Sequence, residues 1–121
     1  MKVINTNEIT GIDFTGGTSY RAILKDDNMG FALMRTVIPK GGPHHWHYIN
    51  HLEACYCISG FGILINLDTG EKHYIRPGMV YVLDKHDDHT FEAIENTVLI
   101  SIFNPPLTGQ EKHDKNGHYS I

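Results

Sequence analysis

The chain has 121 residues, enough for one domain with its own buried core and too few for a second, and its hydrophobic and charged contents are ordinary for a globular protein. Its net charge of −4 provides no basic surface for nucleic acid, and no apolar run approaches the roughly 20 residues needed to cross a bilayer. Residues 1–5 lack the apolar stretch of a signal peptide, so we expect a cytoplasmic protein that binds neither nucleic acid nor membrane.

Short runs of β-forming residues recur between turns rich in Gly, Pro, Asn and Asp, which is typical of an all-β sandwich or barrel. In chain order the predicted strands cover residues 2–5, 20–24, 31–38, 44–58, 62–66, 73–75, 79–83, 90–94 and 97–103. Asp68, Thr69 and Gly70 form the predicted turn of a hairpin. So many short strands in one small domain predict a double-sheet jelly roll or a barrel whose interior or mouth holds a ligand.

The segment 44–53 holds four of the nine histidines together with Glu53. If it runs as a strand, alternate side chains share a face, and one side would then carry His45, His47, His51 and Glu53. Imidazole and carboxylate donors suit Fe, Mn, Ni or Zn better than Mg or Ca, so this face is a candidate transition-metal site. The alternative is a set of solvated or hydrogen-bonded strand residues.

Both cysteines, Cys55 and Cys57, share a face of one predicted strand. That placement is poor for a disulfide, so we expect reduced thiols. We interpret them as small buried hydrophobic side chains, with a thiolate metal pair as the alternative.

Residues 104–121 break the strand pattern with two prolines and then become strongly polar. They form either a frayed tail or a lid over the mouth of the barrel.

A second cluster, from Tyr81 to His89, follows the Pro77-Gly78 turn. Preceded by a histidine pair and Glu53, it resembles the two-motif pattern of cupins, although the gap between His47 and Glu53 is wider than usual. The strings at 50–57, 81–89 and 103–109 closely resemble ectoine synthases, and this resemblance extends from about residue 31 to the C terminus.

The resemblance implies a single cupin domain over residues 1–121, with an all-β jelly-roll fold. The implied reaction is the closure of N-γ-acetyl-L-2,4-diaminobutyrate to ectoine with loss of water, a hydro-lyase step that makes a compatible solute for osmoprotection. It further implies Fe(II), or another divalent transition metal, held by Glu53, Tyr81 and His89. His45 and His47, favoured from the residues alone, would then not be ligands. By analogy with small cupins we expect a homodimer in which the apolar strand 98–102 packs across a two-fold axis.

Substrate contacts implied by the family fall on Arg21, Thr36, Tyr48, His51, Leu83, Phe103, Pro105, Gly109, Glu111 and His113. Arg21 is the candidate for a bidentate carboxylate contact and Glu111 for an ammonium contact. Proton transfer requires an acid and a base, for which His51 and the metal-bound Tyr81 are both candidates. The choice between them stays open.

Three positions depart from the family pattern. Gly17 stands where the family carries Trp, Met34 where it carries a substrate-contacting Asn, and Trp46 where a smaller aliphatic residue is usual. We therefore expect one aromatic wall of the pocket to be missing. Two alternatives stay open: a cupin that acts on a related amide, and a non-catalytic cupin that binds an amino acid derivative.

Overall fold

The computed structural model describes residues 1–111, 113 and 119. Its strands are β1 (Ile12–Phe14), β2 (Gly17–Ile23), β3 (Ala32–Ile38), β4 (Gly41–Trp46), β5 (Leu52–Ser59), β6 (Gly62–Asn66), β7 (Lys72–Ile75), β8 (Val80–Leu83), β9 (His89–Ala93) and β10 (Thr97–Asn104). Two short 3₁₀ turns, Thr6–Glu8 and Lys25–Asp27, are the helical elements of this part of the chain. Neither could span a membrane, and the described residues contain no other candidate.

The strands form two antiparallel sheets. The larger has the order β1-β2-β3-β10-β5-β8 and the smaller β4-β9-β6-β7. Burial alternates strictly along β3, so one face of the large sheet points inward, and Phe91 on β9 packs in the core without any exposure. The expected all-β jelly roll is confirmed.

The register of β5 and β8 brings chemistry-bearing residues onto the inner face. Cys55 pairs with Tyr81 and Glu53 with Leu83. All four side chains are buried, because inward and outward positions alternate on both strands.

The histidine-rich segment does not run as one strand, so that prediction is wrong. The chain leaves the small sheet after Trp46, turns over residues 47–51 and enters the large sheet at Leu52. His45 is therefore exposed while His51 and Glu53 are buried, and the four residues do not share a face.

Three other strand assignments also differ from the sequence-based expectation. Residues 2–5 form no strand, and Val3 is 92% exposed. Conversely, Ile12–Phe14 and Gly41–Trp46 are separate strands despite flanking or internal Gly and Pro, because the first pairs with β2 and the second with β9.

Both cysteines are free and buried, as expected. Part of the C-terminal segment is also docked rather than frayed. The Lys25 N–H donates to the Leu107 carbonyl at 2.8 Å, and Leu107, Gly109 and Glu111 are buried. The remainder of the predicted tail or lid, at 112, 114–118 and 120–121, lies outside the described residues.

Candidate metal and substrate site

A narrow cavity lies between the inner faces of the two sheets. Its walls are formed by Phe14, Ser19, Met34, Thr36, Trp46, Tyr48, Glu53, Cys55, Tyr81, Leu99, Ser101, Phe103 and Tyr119. Glu53 and Tyr81, two of the three predicted metal ligands, are in this wall. The third, His89, opens β9 in the opposite sheet and lines a neighbouring groove that also contains Tyr81 and Leu83.

The His89 imidazole has the hydrogen bonding expected of a metal ligand. Its Nδ1–H donates to the Asp87 carbonyl at 2.9 Å, so the neutral ring carries its lone pair on Nε2. Nε2 is buried and has no hydrogen-bond partner. Burial also lowers the pKa of His89, which keeps the ring neutral and able to donate that lone pair to a cation.

Glu53 is an almost completely buried carboxylic acid. Burial raises the pKa of its carboxyl to about 8, although hydrogen bonds involving Cys55 and Ser101 oppose the rise. Burial likewise holds the pKa of Tyr81 and of Cys55 well above their ordinary values. A bound cation would offset the cost of ionising these buried groups.

The resemblance implies a metal site that includes a tyrosine, Tyr81, beside Glu53 and His89. Within residues 1–111, 113 and 119, no three His, Cys, Asp or Glu side chains come close enough to hold a metal ion. A three-ligand site that contains Glu53 and His89 would take its third donor from another residue type, and Tyr81 lines both the cavity with Glu53 and the groove with His89. Carboxylate, phenolate and imidazole together suit iron.

His45 and His47, the ligands favoured from the residues alone, are directed to the loop after β8. His45 Nε2 lies 2.5 Å from an Asp88 carboxylate oxygen, and His47 Nε2 lies 2.8 Å from the His86 carbonyl oxygen. These contacts connect the end of β4 and the residue that follows it to the loop after β8.

The predicted substrate contacts divide into two groups. Thr36, Tyr48 and Phe103 line the cavity, where the Thr36 hydroxyl is 2.8 Å from that of Ser101. Leu83 is buried beside the groove, and Pro105 is exposed. Arg21, His51, Gly109, Glu111 and His113 belong to the region where the C-terminal segment meets the barrel.

His51 has one polar atom without a partner. Its Nδ1 is buried and makes no hydrogen bond, while the ring packs edge-on against Phe103 and Tyr119. Burial lowers the pKa of His51, so the imidazole is neutral near pH 7 and able to accept a proton.

Arg21 and Glu111 meet inside the protein. Arg21 Nη2 donates to the Glu111 backbone oxygen at 2.6 Å, and Nη1 lies 3.8 Å from its carboxylate. Nη1 itself is buried without a hydrogen bond. The Glu111 carboxylate accepts the N–H groups of Thr108 and Gly109. Burial raises the pKa of Glu111, but these backbone hydrogen bonds outweigh it and bring the pKa below its usual value.

Aromatic residues from the tail cover the barrel on this side. The Tyr48 hydroxyl lies 2.9 Å from His113 Nε2, and the Tyr119 ring stacks on Tyr48 at 5.1 Å between centroids. The Arg21 guanidinium lies over the Tyr119 ring. The described tail residues His113 and Tyr119 therefore pack against the barrel on this side.

Sequence reasoning missed Tyr119, Phe14 and Trp46 as cavity residues. We expected one aromatic wall of the pocket to be missing, but aromatic residues do line the cavity. The Trp46 ring stacks on Phe91 with 5.7 Å between centroids, and the Phe14 ring lies 5.6 Å from the Trp46 ring. A Cβ atom at Gly17 would lie 2.4 Å from the Val37 carbonyl oxygen. Trp46 and Phe14, at other positions, supply aromatic surface to the cavity. The sequence feature that could have identified Tyr119 is its position as an aromatic residue in an otherwise polar C-terminal segment.

The ectoine synthase family model matches residues 1–121. An L-ectoine synthase from Marinomonas sp. (strain MWYL1) is 52% identical over 103 residues, 85% of this chain and 80% of that protein. One from Desulfatibacillum aliphaticivorans is 48% identical over 116 residues, 93% and 89% of the two chains. The crystal structure of ectoine synthase from P. lautus superposes with a TM-score of 0.84 at 42% identity, covering 90% of this chain and 81% of that one. The Schizosaccharomyces pombe Cnp3 cupin domain shares the fold alone, with a TM-score of 0.67 and 10% identity over 84% of this chain and 72% of that one.

Proposed function

Because the chain belongs to the ectoine synthase family, we propose that it is a cytoplasmic hydro-lyase that closes N-γ-acetyl-L-2,4-diaminobutyrate to ectoine with loss of water. The observation that carries this proposal is the set of buried polar atoms left without protein partners. His89 Nε2, His51 Nδ1 and Arg21 Nη1 are all buried and lack hydrogen bonds. Such atoms are costly unless a ligand satisfies them.

We propose that Glu53, Tyr81 and His89 hold Fe(II) or another divalent transition metal. The support is the lone pair on His89 Nε2 and the buried Glu53 carboxyl, whose pKa is raised by burial. When bound, such a metal supplies Lewis acidity, which makes the unreactive amide carbonyl of the substrate more electrophilic.

The two ends of the substrate are assigned to Arg21 and Glu111. Arg21 Nη1 is the proposed contact for the substrate carboxylate, because it is a buried donor with no hydrogen-bond acceptor. The Glu111 carboxylate accepts two backbone N–H groups and retains lone pairs for the substrate amine. Holding both ends folds the flexible chain towards its ring-closing shape.

Ring closure transfers two nitrogen-bound protons to the departing amide oxygen, which leaves as water. His51 is the proposed base, since the unpartnered Nδ1 of its neutral imidazole accepts a proton in the tautomer that carries the hydrogen on Nε2. Tyr81 is the alternative proton carrier. Its burial holds its pKa well above the usual value, so it is a phenol in the absence of a cation.

Closure of the cavity by the tail would keep bulk water from the product. Tyr119 and Leu107 are almost completely buried against the barrel, and Tyr119 lines the cavity itself. Water exclusion disfavours the reverse reaction, the hydrolysis of the cyclic product.

A related amide is the second candidate substrate. Met34 lines the cavity and is 1% exposed, and its sulfur accepts a hydrogen bond from Ser19 at 3.2 Å. An apolar side chain here favours a ligand that has an apolar group at the same place.

A homodimer is proposed through the outer face of the large sheet. Its exposed apolar side chains are Leu52, Tyr56, Ile58, Val80, Val82 and Ile102, on the adjacent strands β5, β8 and β10. A contiguous apolar face of this kind marks an interaction surface. The outward side chains of residues 98–102, the segment expected at the interface, belong to the same sheet.

The proposal is tested by following the substrate with purified protein by NMR, anaerobically with Fe(II) and again after chelation. Iron-dependent appearance of ectoine is expected, and Glu53→Gln should abolish both iron binding and turnover. Folded, iron-loaded protein that leaves this substrate unchanged would contradict the proposal, and related amides would then be tried. A non-catalytic binder would hold ligand without turnover, and a metal-independent one would keep its affinity in Glu53→Gln.

A further inference from the structure

The turn between β4 and β5 carries two of the proposed substrate contacts. Within the connection 47–51, Tyr48 and His51 are the first and last residues of a four-residue turn, and the His51 nitrogen is 3.4 Å from the Tyr48 carbonyl oxygen. This is longer than an ordinary backbone hydrogen bond. The turn is therefore only weakly closed by its own backbone.

His86, from the loop after β8, supplies a stronger closure. Its Nδ1 lies 2.9 Å from the Tyr48 carbonyl oxygen and 3.0 Å from the His51 carbonyl oxygen. Both partners are acceptors, so Nδ1 carries a proton and donates to both. One imidazole thus holds the two ends of the turn together.

The connection between the two loops is reciprocal. The His47 Nε2–H donates to the His86 backbone carbonyl at 2.8 Å, while the His86 side chain donates into the turn that follows His47. His86 has φ +50°, in the left-handed region that non-glycine residues other than Asn, Asp and His rarely adopt. The surrounding contacts hold it in this conformation.

We propose that His86 is a positioning residue, which acts through the turn to hold Tyr48 and His51 against the cavity. This inference rests on the proposed function. Tyr48 lines the cavity, and His51 presents the unpartnered Nδ1 assigned above to proton transfer. A shift of the turn moves both side chains together, and a displacement of about 1 Å can cost a hundredfold in rate.

Three substitutions separate the hydrogen bond from the backbone conformation. His86→Asn tolerates the left-handed region and places an amide nitrogen where Nδ1 stood. His86→Asp keeps that shape but has an acceptor instead of the donor, and His86→Gly keeps the backbone conformation without any side chain. The control is His73→Asn, which alters an exposed histidine whose recorded ring partner is Glu71.

The experiment measures kcat and KM for ectoine formation, iron content, melting temperature, and amide hydrogen exchange of residues 49–52. For His86→Gly and His86→Asp we expect unchanged iron content, kcat/KM about 10- to 100-fold lower, and exchange about tenfold faster in the turn. His86→Asn should return both quantities to within about threefold of the starting protein, and His73→Asn should change neither.

The proposal is overturned if His86→Gly keeps normal kinetics and exchange, or if His86→Asn is as impaired as His86→Gly. It is also overturned if the melting temperature falls while the kinetic constants stay unchanged, since that is a purely structural role. If the starting protein itself forms no ectoine, the proposed function fails. Hydrogen exchange in the variants then still decides whether His86 holds the turn.

Discussion

Arg21 and Glu111 join β2 to the C-terminal segment: Arg21 Nη2 donates to the Glu111 backbone oxygen at 2.6 Å, across 90 positions of sequence. Both residues are nearly completely buried, at 6% and 7% exposure. The Glu111 carboxylate also closes the local turn by accepting the N–H groups of Thr108 and Gly109. The segment that covers the cavity is therefore fixed by charge-assisted hydrogen bonds.

Replacing Arg21 with Lys should loosen this cover although the charge is kept, because an ammonium lacks the planar fork of donors. A hydrogen bond to or from a charged group contributes about 1.5–3 kcal/mol. We expect kcat/KM to fall by about 10- to 100-fold and hydrogen exchange at residues 105–111 to accelerate. Arg35→Lys on the neighbouring strand is the matched control, since Arg35 contacts Thr6 and Tyr20 away from the cavity. Equal effects in the two variants would contradict this role for Arg21.

The Glu111 interactions should also appear in the pH dependence of stability. The pKa of Glu111 is lower in the folded protein than its ordinary value of 4.5, so its contribution is complete above pH 4.5. It is lost as the pH falls below 4.5 and through the folded-state pKa. In urea unfolding between pH 3 and pH 6, the free energy of unfolding should decrease less with falling pH for Glu111→Gln than for the unaltered protein. The same substitution at the exposed Glu95 should leave this pH dependence unchanged. If the free energy of unfolding of Glu111→Gln falls with pH as steeply as that of the unaltered protein, Glu111 does not make this contribution.

The sequence predicted most of this fold because its strands alternate and are separated by turn residues. The prediction failed where the formation of a strand depends on a neighbouring strand to pair with. Residues 2–5 have strand-like composition but pair with no described strand. Gly41–Trp46 contains Gly and Pro and yet pairs with β9. The ligand candidates Glu53, Tyr81 and His89 came from resemblance, because strand register and the free Nε2 of His89 are visible only in three dimensions. Tyr119 was missed since its burial depends on a tail that folds back over the barrel.

Tyr81→Phe should remove a proposed metal ligand and, from the core, only the hydrogen bond between the phenol and Cys55. Only the hydroxyl is lost, and the ring keeps its stacking on Phe91 at 6.2 Å. With two donors left, we expect metal affinity to fall more than the roughly 10–100-fold typical of changes outside the ligand set. Metal content after dialysis, measured by mass spectrometry, tests this directly. Tyr74→Phe, at an exposed position on β7, is the control. Full metal occupancy in Tyr81→Phe would mean that other groups hold the ion.

The apolar outer face of the large sheet should determine the oligomeric state. Val80 and Val82 are 56% and 58% exposed, and both project from the edge strand β8. A charged residue in an apolar interface must be desolvated, so Val82→Glu should convert the proposed dimer to monomer. Analytical ultracentrifugation measures the mass in solution. Glu92→Lys on the other sheet alters charge without touching this face, and a dimer that survives Val82→Glu would place the interface elsewhere.

Trp46 should be both a structural and a cavity residue. It is 3% exposed, lines the cavity, and donates its indole N–H to the Thr15 carbonyl at 2.7 Å. Trp46→Leu removes this hydrogen bond and part of the aromatic wall, and should destabilise the protein by about 2–3 kcal/mol, less than the roughly 3–5 kcal/mol of truncation to Ala. Because the enlarged cavity holds the substrate less firmly, we also expect kcat/KM to fall about tenfold.

Phe61→Leu separates the two effects, since Phe61 stacks on Tyr74 outside the cavity. It should reduce the unfolding free energy while leaving kcat/KM within about twofold. If Trp46→Leu loses stability alone, Trp46 supports the barrel without shaping the substrate site, and the aromatic wall at the substrate would then consist of Phe14 and Tyr48.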